Sequence, residues 1–201
     1  MKITSVKQQV GKKDRYSVFV DEEYSFSLSE SALLESGIHN GQELGDKQVG
    51  EFKKLSADDK IRIQTLRYVA MRARTKWEVE FYLQKKGASP PLVSTLLNML
   101  SNVGLIDDLA YAKTFIKDRN LLRPTSALKI KYELRKKRID DKVIREAFDE
   151  EGGTEADALK AMIEKKRRQT KYQDDQKLMQ YLARQGFRYD DIKSALASED
   201  Q

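Results

Sequence analysis

Apolar and polar residues change their rhythm once along this chain. Tyr16, Val18 and Val20 alternate with Ser17 and Phe19, and Tyr24, Phe26 and Leu28 alternate with Ser25 and Ser27. A period of two is that of half-buried strands, here joined by the polar turn Asp21-Glu22-Glu23. An earlier strand from Ile3 to Gln8 or Val10 ends at Gly11-Lys12-Lys13, so a three-stranded meander is predicted. Ser29 then caps a short helix through Ala32, Leu33 and Leu34, which Gly37 stops. So small a sheet buries too little to stand alone and needs a helix over one face. Lys47 to Lys60, with little apolar periodicity beyond Val49, Phe52 and Leu55, reads as a partly helical connection.

From Thr65 the period becomes helical. Leu66, Tyr68, Val69 and Ala70 form one face, Arg72-Ala73-Arg74 interrupts it, and Thr75-x-x-Glu78 opens a second helix as a capping box. Spacing puts Trp77, Phe81 and Leu83 or its neighbour Tyr82 on the buried face of that helix, and Gly87 stops it. Ser89-Pro90 starts a third helix, with Val93, Leu96, Leu97 and Leu100 as its core stripe.

This three-helix unit recurs. Leu83 has Gly87 four residues on and Val93 ten on; Leu134 has Arg138 and Ile144; Leu182 has Gly186 and Ile192. The words FYLQKKGASPPLV, YELRKKRIDDKVI and QYLARQGFRYDDI share an aromatic, a leucine, a basic tail, a turn and a new cap. A period near fifty residues with this internal agreement marks a helical repeat array. In the second unit, Gly104 ends the preceding helix, Asp107 caps the next, and Leu109, Ala112, Phe115 and Ile116 are its buried stripe. Arg123-Pro124 then breaks the chain before Thr125 or Ser126 caps a helix carrying Leu128, Tyr132 and Leu134. The last long helix starts near Thr154 and carries Ala158, Leu159, Met162 and Ile163. The fold class is therefore mostly α: three tandem three-helix repeats in an elongated curved array, after a small N-terminal β-meander with a short helix. The divisions fall at 1–58 for the strand-rich extension and linker, then 59–106, 107–152 and 153–201 for the repeats.

Composition narrows the chemistry. With no cysteine among 201 residues there is neither a disulfide framework nor a thiolate metal site. The single histidine, His39, sits in a polar turn-like stretch and gives no imidazole cluster. No catalytic residue, metal site or cofactor is expected. The first residues lack a signal peptide and no run is long enough for a membrane span, so a cytoplasmic protein without a membrane partner is expected. Asp107-Asp108, Asp140-Asp141 and Asp190-Asp191 suggest acidic metal sites. Each pair stands at a helix start, however, where one carboxylate caps N–H groups and the other meets the positive end of the dipole. Adjacent residues point in different directions on a helix, so capping is the reading adopted.

The net charge of +6 is uneven: residues 1–58 hold eight basic and ten acidic residues, leaving thirty against twenty-two, a net +8, in the rest. A polyanionic partner follows. Helix dipoles explain some of the cations that close helices, but not the two runs of four, Arg135-Lys136-Lys137-Arg138 and Lys165-Lys166-Arg167-Arg168. With Arg72, Arg74, Lys76, Lys85, Lys86, Arg123, Lys129, Lys131, Lys171 and Arg184 they gather at the turns of successive units and are the candidate contacts to phosphates. Each phosphate neutralised steepens the log–log salt dependence of DNA affinity by about 0.9.

From about Thr65 to Leu196, TKWEVEFYLQKKG, NVGLIDDLAYAKTFIKDR, RPTSALKIKYELRKKRIDDKVI and KLMQYLARQGFRYDDIKSAL resemble, in order and spacing, the repeats of the RecX regulatory proteins, with GLIDD-x-x-YA the most specific piece. Ser126 stands where that family commonly has glycine, and Lys137-Arg138 where it has a Lys-Gly turn. An arginine held left-handed costs about 1 kcal/mol more than glycine, so a different end to that helix is anticipated. The resemblance implies nine helices in three units and a non-enzymatic monomer. It also implies binding to RecA recombinase filaments on single-stranded DNA, touching DNA non-specifically through phosphates. Such a protein inhibits filament extension, ATP hydrolysis, strand exchange and co-protease action, in the setting of DNA repair, recombination and the SOS response. The alternative is a free-standing non-specific DNA-binding module.

Overall fold

Three antiparallel strands in the order β1 (Ile3–Gln9), β2 (Lys12–Val20) and β3 (Glu23–Ser29) open the chain, followed by ten helices among the described residues. The computed structural model describes residues 1–151 and 155–198, without the side chains of Lys12 and Lys13. It divides into two units: Met1–Arg72 with Val79–Leu105, and Ala73–Glu78 with Ile106–Gln201.

In the first unit the β2–β3 hairpin turns through Asp21 and Glu22, both at positive φ (49° and 70°), the handedness that matches strand twist. Ile3, Val18, Val20, Phe26 and Leu28 form the sheet's buried face, joined by Ala32 of α1 (Glu30–Ser36), Leu44 and Val49. Ser29 caps α1, accepting the Ala32 N–H, and Gly37 ends it at φ 65°.

The expected connection is instead the first half of a single 25-residue helix, α2 (Asp46–Ala70). Its polar residues close the free edge of β3. The Ser56 hydroxyl donates to the Ser27 carbonyl (2.6 Å), and buried Asp59 accepts both the Ser29 N–H (2.9 Å) and the Ser29 hydroxyl (2.7 Å). Arg15 and Arg62 balance the Asp59 charge at 3.2 and 3.4 Å. A sheet edge is thus satisfied by side chains, which hydrophobic spacing does not register.

Helix α3 (Lys76–Lys85) begins with the Thr75–Glu78 capping box, both bonds at 3.2 Å, and ends at Gly87 with φ 75°. Its buried residues are Val79 and Leu83, while Tyr82 stacks on Tyr68 at 4.1 Å. The expectation that Trp77 and Phe81 face the core is wrong: they are 39% and 43% exposed. Helix α4 (Pro90–Asn102) buries Val93, Leu96, Leu97 and Leu100 as expected, and Gly104 follows at φ 71°.

The second unit carries two triplets: α5 (Asp108–Leu122), α6 (Ala127–Lys136) and α7 (Asp141–Glu151), then α8 (Glu155–Arg167), α9 (Asp175–Arg184) and α10 (Tyr189–Ala197). Asp107 caps α5 through the Leu109 and Ala110 N–H groups, both at 2.9 Å, and Ser126 rather than Thr125 caps α6. Leu128 and Tyr132 are not core residues but 64% and 56% exposed; Ile130 and Leu134 are buried in their place. Arg138 takes φ 59°, so α6 ends as α3 does with arginine in the glycine position, contrary to the different ending anticipated. Asp190 and Asp191 lie inside the first turn of α10, behind an Arg188 N-cap, and cap nothing as a pair. Thr154 lies outside the described residues.

Candidate nucleic-acid interface

One joint is built twice in the second unit. The Thr75 hydroxyl caps α3 and also donates to the Lys137 carbonyl at the end of α6 (3.2 Å). The Ser126 hydroxyl caps α6 and donates to the Gln185 carbonyl at the end of α9 (2.6 Å). A hydroxyl can do both because it accepts and donates at once. A carboxylate from the next triplet's first helix takes the adjoining N–H: Asp108 accepts from Lys76 (2.8 Å) and Glu155 from Ala127 (2.9 Å). A lysine completes each joint, Lys137 on Glu78 (2.9 Å) and Lys129 on the Gln185 side-chain oxygen (2.7 Å). Gly186, at φ 93°, lies so close that a Cβ there would sit 2.6 Å from the Ser126 hydroxyl. Burial pushes the Asp108 carboxyl above the ordinary carboxylate value, against the opposing pull of the Lys76 N–H.

These joints decide which cations stay available. Lys137 is paired with Glu78, whereas Lys129 is held by the uncharged Gln185 amide and keeps its charge. Lys131 lies over Phe148 (4.9 Å), Lys166 over Tyr181 (4.5 Å), and Arg167 binds Asp175 (2.6 Å) and the Tyr172 and Gln173 carbonyls. Arg74 is half-buried, whereas Arg72, Lys76, Lys85, Lys86, Arg123, Lys136, Arg138, Lys165, Arg168, Lys171 and Arg184 are exposed. Arg135 is exposed too but pairs with Asp141 at 2.7 Å.

Four of the candidates meet in one place. A cavity of about 340 Å³ among α5, α6, α8 and α9 is lined by Arg123, Lys129, Lys165 and Lys166, together with Arg119, which the basic runs did not reveal. Glu133 is its single carboxylate and holds Arg119 through Nε and Nη2 at 3.1 and 2.7 Å. Five cations against one carboxylate in a recess favour an anion, since low-dielectric walls focus the field. Lys129 and Gln185 also line a second groove of about 350 Å³, made by Leu128, Tyr132, Arg135, Arg184 and Gly186. Lys136 lies over the exposed Tyr132 ring at 4.9 Å, as Lys85 lies over Phe81 at 4.7 Å one repeat earlier.

Among the described residues no group of three or more His, Asp or Glu is placed to hold a metal ion, and no helix is long and apolar enough to cross a membrane.

Comparison with known proteins matches residues 1–45 to the regulatory protein RecX N-terminal domain, 107–147 to the RecX second three-helix domain and 154–196 to the RecX third three-helix domain. A regulatory protein RecX of Lactobacillus delbrueckii subsp. bulgaricus is 32% identical over 190 residues, covering 92% of this chain and 70% of the relative. That of Bacillus subtilis is 26% identical over 199 residues, covering 96% and 75%. A crystal structure of regulatory protein RecX superposes with a TM-score of 0.75 at 25% identity, covering 100% of this chain and 99% of that one. The RecX crystal structure from Lactobacillus salivarius gives 0.63 at 25% identity, covering 72% and 97%. With capping joints, repeat triplets and an N-terminal sheet all accounted for, the chain belongs to the RecX family of regulatory proteins.

Proposed function

We propose that this protein is a non-enzymatic regulator that binds RecA recombinase filaments on single-stranded DNA and inhibits their extension, ATP hydrolysis, strand exchange and co-protease activity. The observation that carries this reading is the five-cation recess between the second and third triplets of a RecX-family chain. A recess of this charge engages DNA phosphates beside the protein coat without any bond being made or broken. Residues 59–106, 107–152 and 153–201 act as the three repeats of a cytoplasmic monomer, and weak contacts made by successive repeats multiply in effect when engaged together.

The test is RecA ATP hydrolysis on single-stranded DNA, titrated with this protein at two salt concentrations. Inhibition at substoichiometric protein that weakens with salt supports the reading. Hydrolysis that does not respond overturns it, and tight salt-dependent binding to bare DNA alongside would make the protein a free-standing DNA-binding module.

A further inference from the structure

Partly exposed rings in α3 and α6 stand out, because a large apolar side chain that keeps about two fifths or more of its surface in water gives up part of its burial energy. They are not scattered. Measured from the capping hydroxyl, Trp77 and Leu128 occupy the second helical position, Phe81 and Tyr132 the sixth, and Lys85 and Lys136 the tenth. In the third triplet the same positions, counted from the Asp174 cap, are Gln176, Gln180 and Arg184, so the cation stays and the ring goes. The buried residues of these helices, Val79 with Leu83, Ile130 with Leu134 and Leu178 with Leu182, lie on a different face. The ring stripe is therefore a surface in its own right.

We infer that the seam between α6 and α9 is a single-strand subsite in which a base stacks on Tyr132 while a flanking phosphate enters the cationic recess at Arg123 and Lys165. The two hollows share Lys129 and Gln185, so one chain crossing that pair reaches both. A base takes the ring more strongly than Lys136 does, since stacking outweighs an exposed cation–π contact, and the displaced ammonium remains beside the backbone. Duplex DNA offers phosphates but no free base faces, so it fits the recess and not the ring. An acidic protein helix would satisfy the cations without needing an aromatic ring. The inference thus assigns strand selectivity to Tyr132, with Phe81 as its counterpart one repeat earlier, and it rests on the nucleic-acid contact proposed above.

The experiment is fluorescence anisotropy of labelled oligothymidylate and of a labelled duplex with the full-length protein, no recombinase being present. Wild type binds the single strand more tightly. Tyr132→Ala and Tyr132→Leu lower that affinity about tenfold or more and leave duplex affinity alone, whereas Tyr132→Phe stays near wild type. Arg123→Glu weakens both ligands and lowers the single-strand salt slope by about 0.7. Circular dichroism confirms that the variants fold, as expected for side chains this exposed. Equal affinity for single strand and duplex, or oligothymidylate binding unchanged by Tyr132→Leu, overturns the subsite. RecA ATPase inhibition by the same variants is read separately: inhibition that survives while oligothymidylate binding never depended on Tyr132 removes the subsite and leaves the filament reading standing.

Discussion

Gly186→Ala is the perturbation that probes the α6–α9 joint most sharply. Two costs add at this position. Alanine at φ 93° is strained, by about 1 to 2 kcal/mol. Its Cβ also meets the Ser126 hydroxyl at 2.6 Å, and that hydroxyl is fully buried between the Gln185 carbonyl and the Lys129 N–H. Moving it aside forfeits a cap and a buried hydrogen bond, each about 1 kcal/mol. The sum is about 3 to 4 kcal/mol in Gly186→Ala alone. In a Ser126→Ala background the hydroxyl is already gone and only the backbone cost remains, so the two substitutions should fall short of additivity by about 2 kcal/mol. Urea unfolding followed by helical circular dichroism supplies the cycle, and hydrogen exchange in α9 shows whether the loss is local. Strict additivity would mean that the hydroxyl and position 186 do not touch, and the joint as described would be wrong.

Three further perturbations test the packing. Trp77→Ala should cost clearly less than Leu83→Ala, about 1 to 2 kcal/mol against about 2 to 5, because the indole is 39% exposed whereas the leucine is fully buried; equal losses in urea melts would put Trp77 back in the core. Arg138→Gly should raise stability by about 1 kcal/mol, since it relieves a residue held at φ 59°; a loss would mean that the arginine side chain contributes more than its backbone costs. Burial raises the Asp108 carboxyl, so the folded state keeps that proton to higher pH than the unfolded chain. Its contribution is fullest below the ordinary carboxylate value and is lost as pH rises through the raised one. Asp108→Asn should remove that step from the variant's stability–pH curve, so the gap between wild type and variant changes across this pH range; curves that stay parallel would contradict the assignment.

Much of the architecture was legible from punctuation. Thr75, Ser29 and Asp107 announce helices, Gly37, Gly87 and Gly104 stop them, and the recurrence of Leu83, Leu134 and Leu182 reports three equivalent buried positions. The wrong faces assigned to α3 and α6 have one cause. Trp77, Phe81 and Tyr132 dominate any reading of apolar spacing, but the core side of the middle helices is carried by aliphatic pairs four residues apart. The rings left outside are those proposed to meet a single strand, and spacing alone cannot separate a core stripe from an exposed one. Helix α2 was read as only a partly helical connection over Lys47 to Lys60 because Ser56 and Asp59 are there to satisfy a sheet edge, a tertiary demand absent from local pattern. Arg119 escaped notice for a similar reason: it stands apart from both basic runs and joins Arg123 and Lys165 only when α5 and α8 come together.

The most direct measurement is RecA ATP hydrolysis on single-stranded DNA in the presence of wild-type protein and of an Arg123→Glu, Lys165→Glu double variant, both shown to be folded. Strong inhibition by the wild type that the double variant loses, with the gap narrowing as salt rises, is the predicted result. Equal inhibition by the two proteins would show that the cationic recess plays no part in regulation.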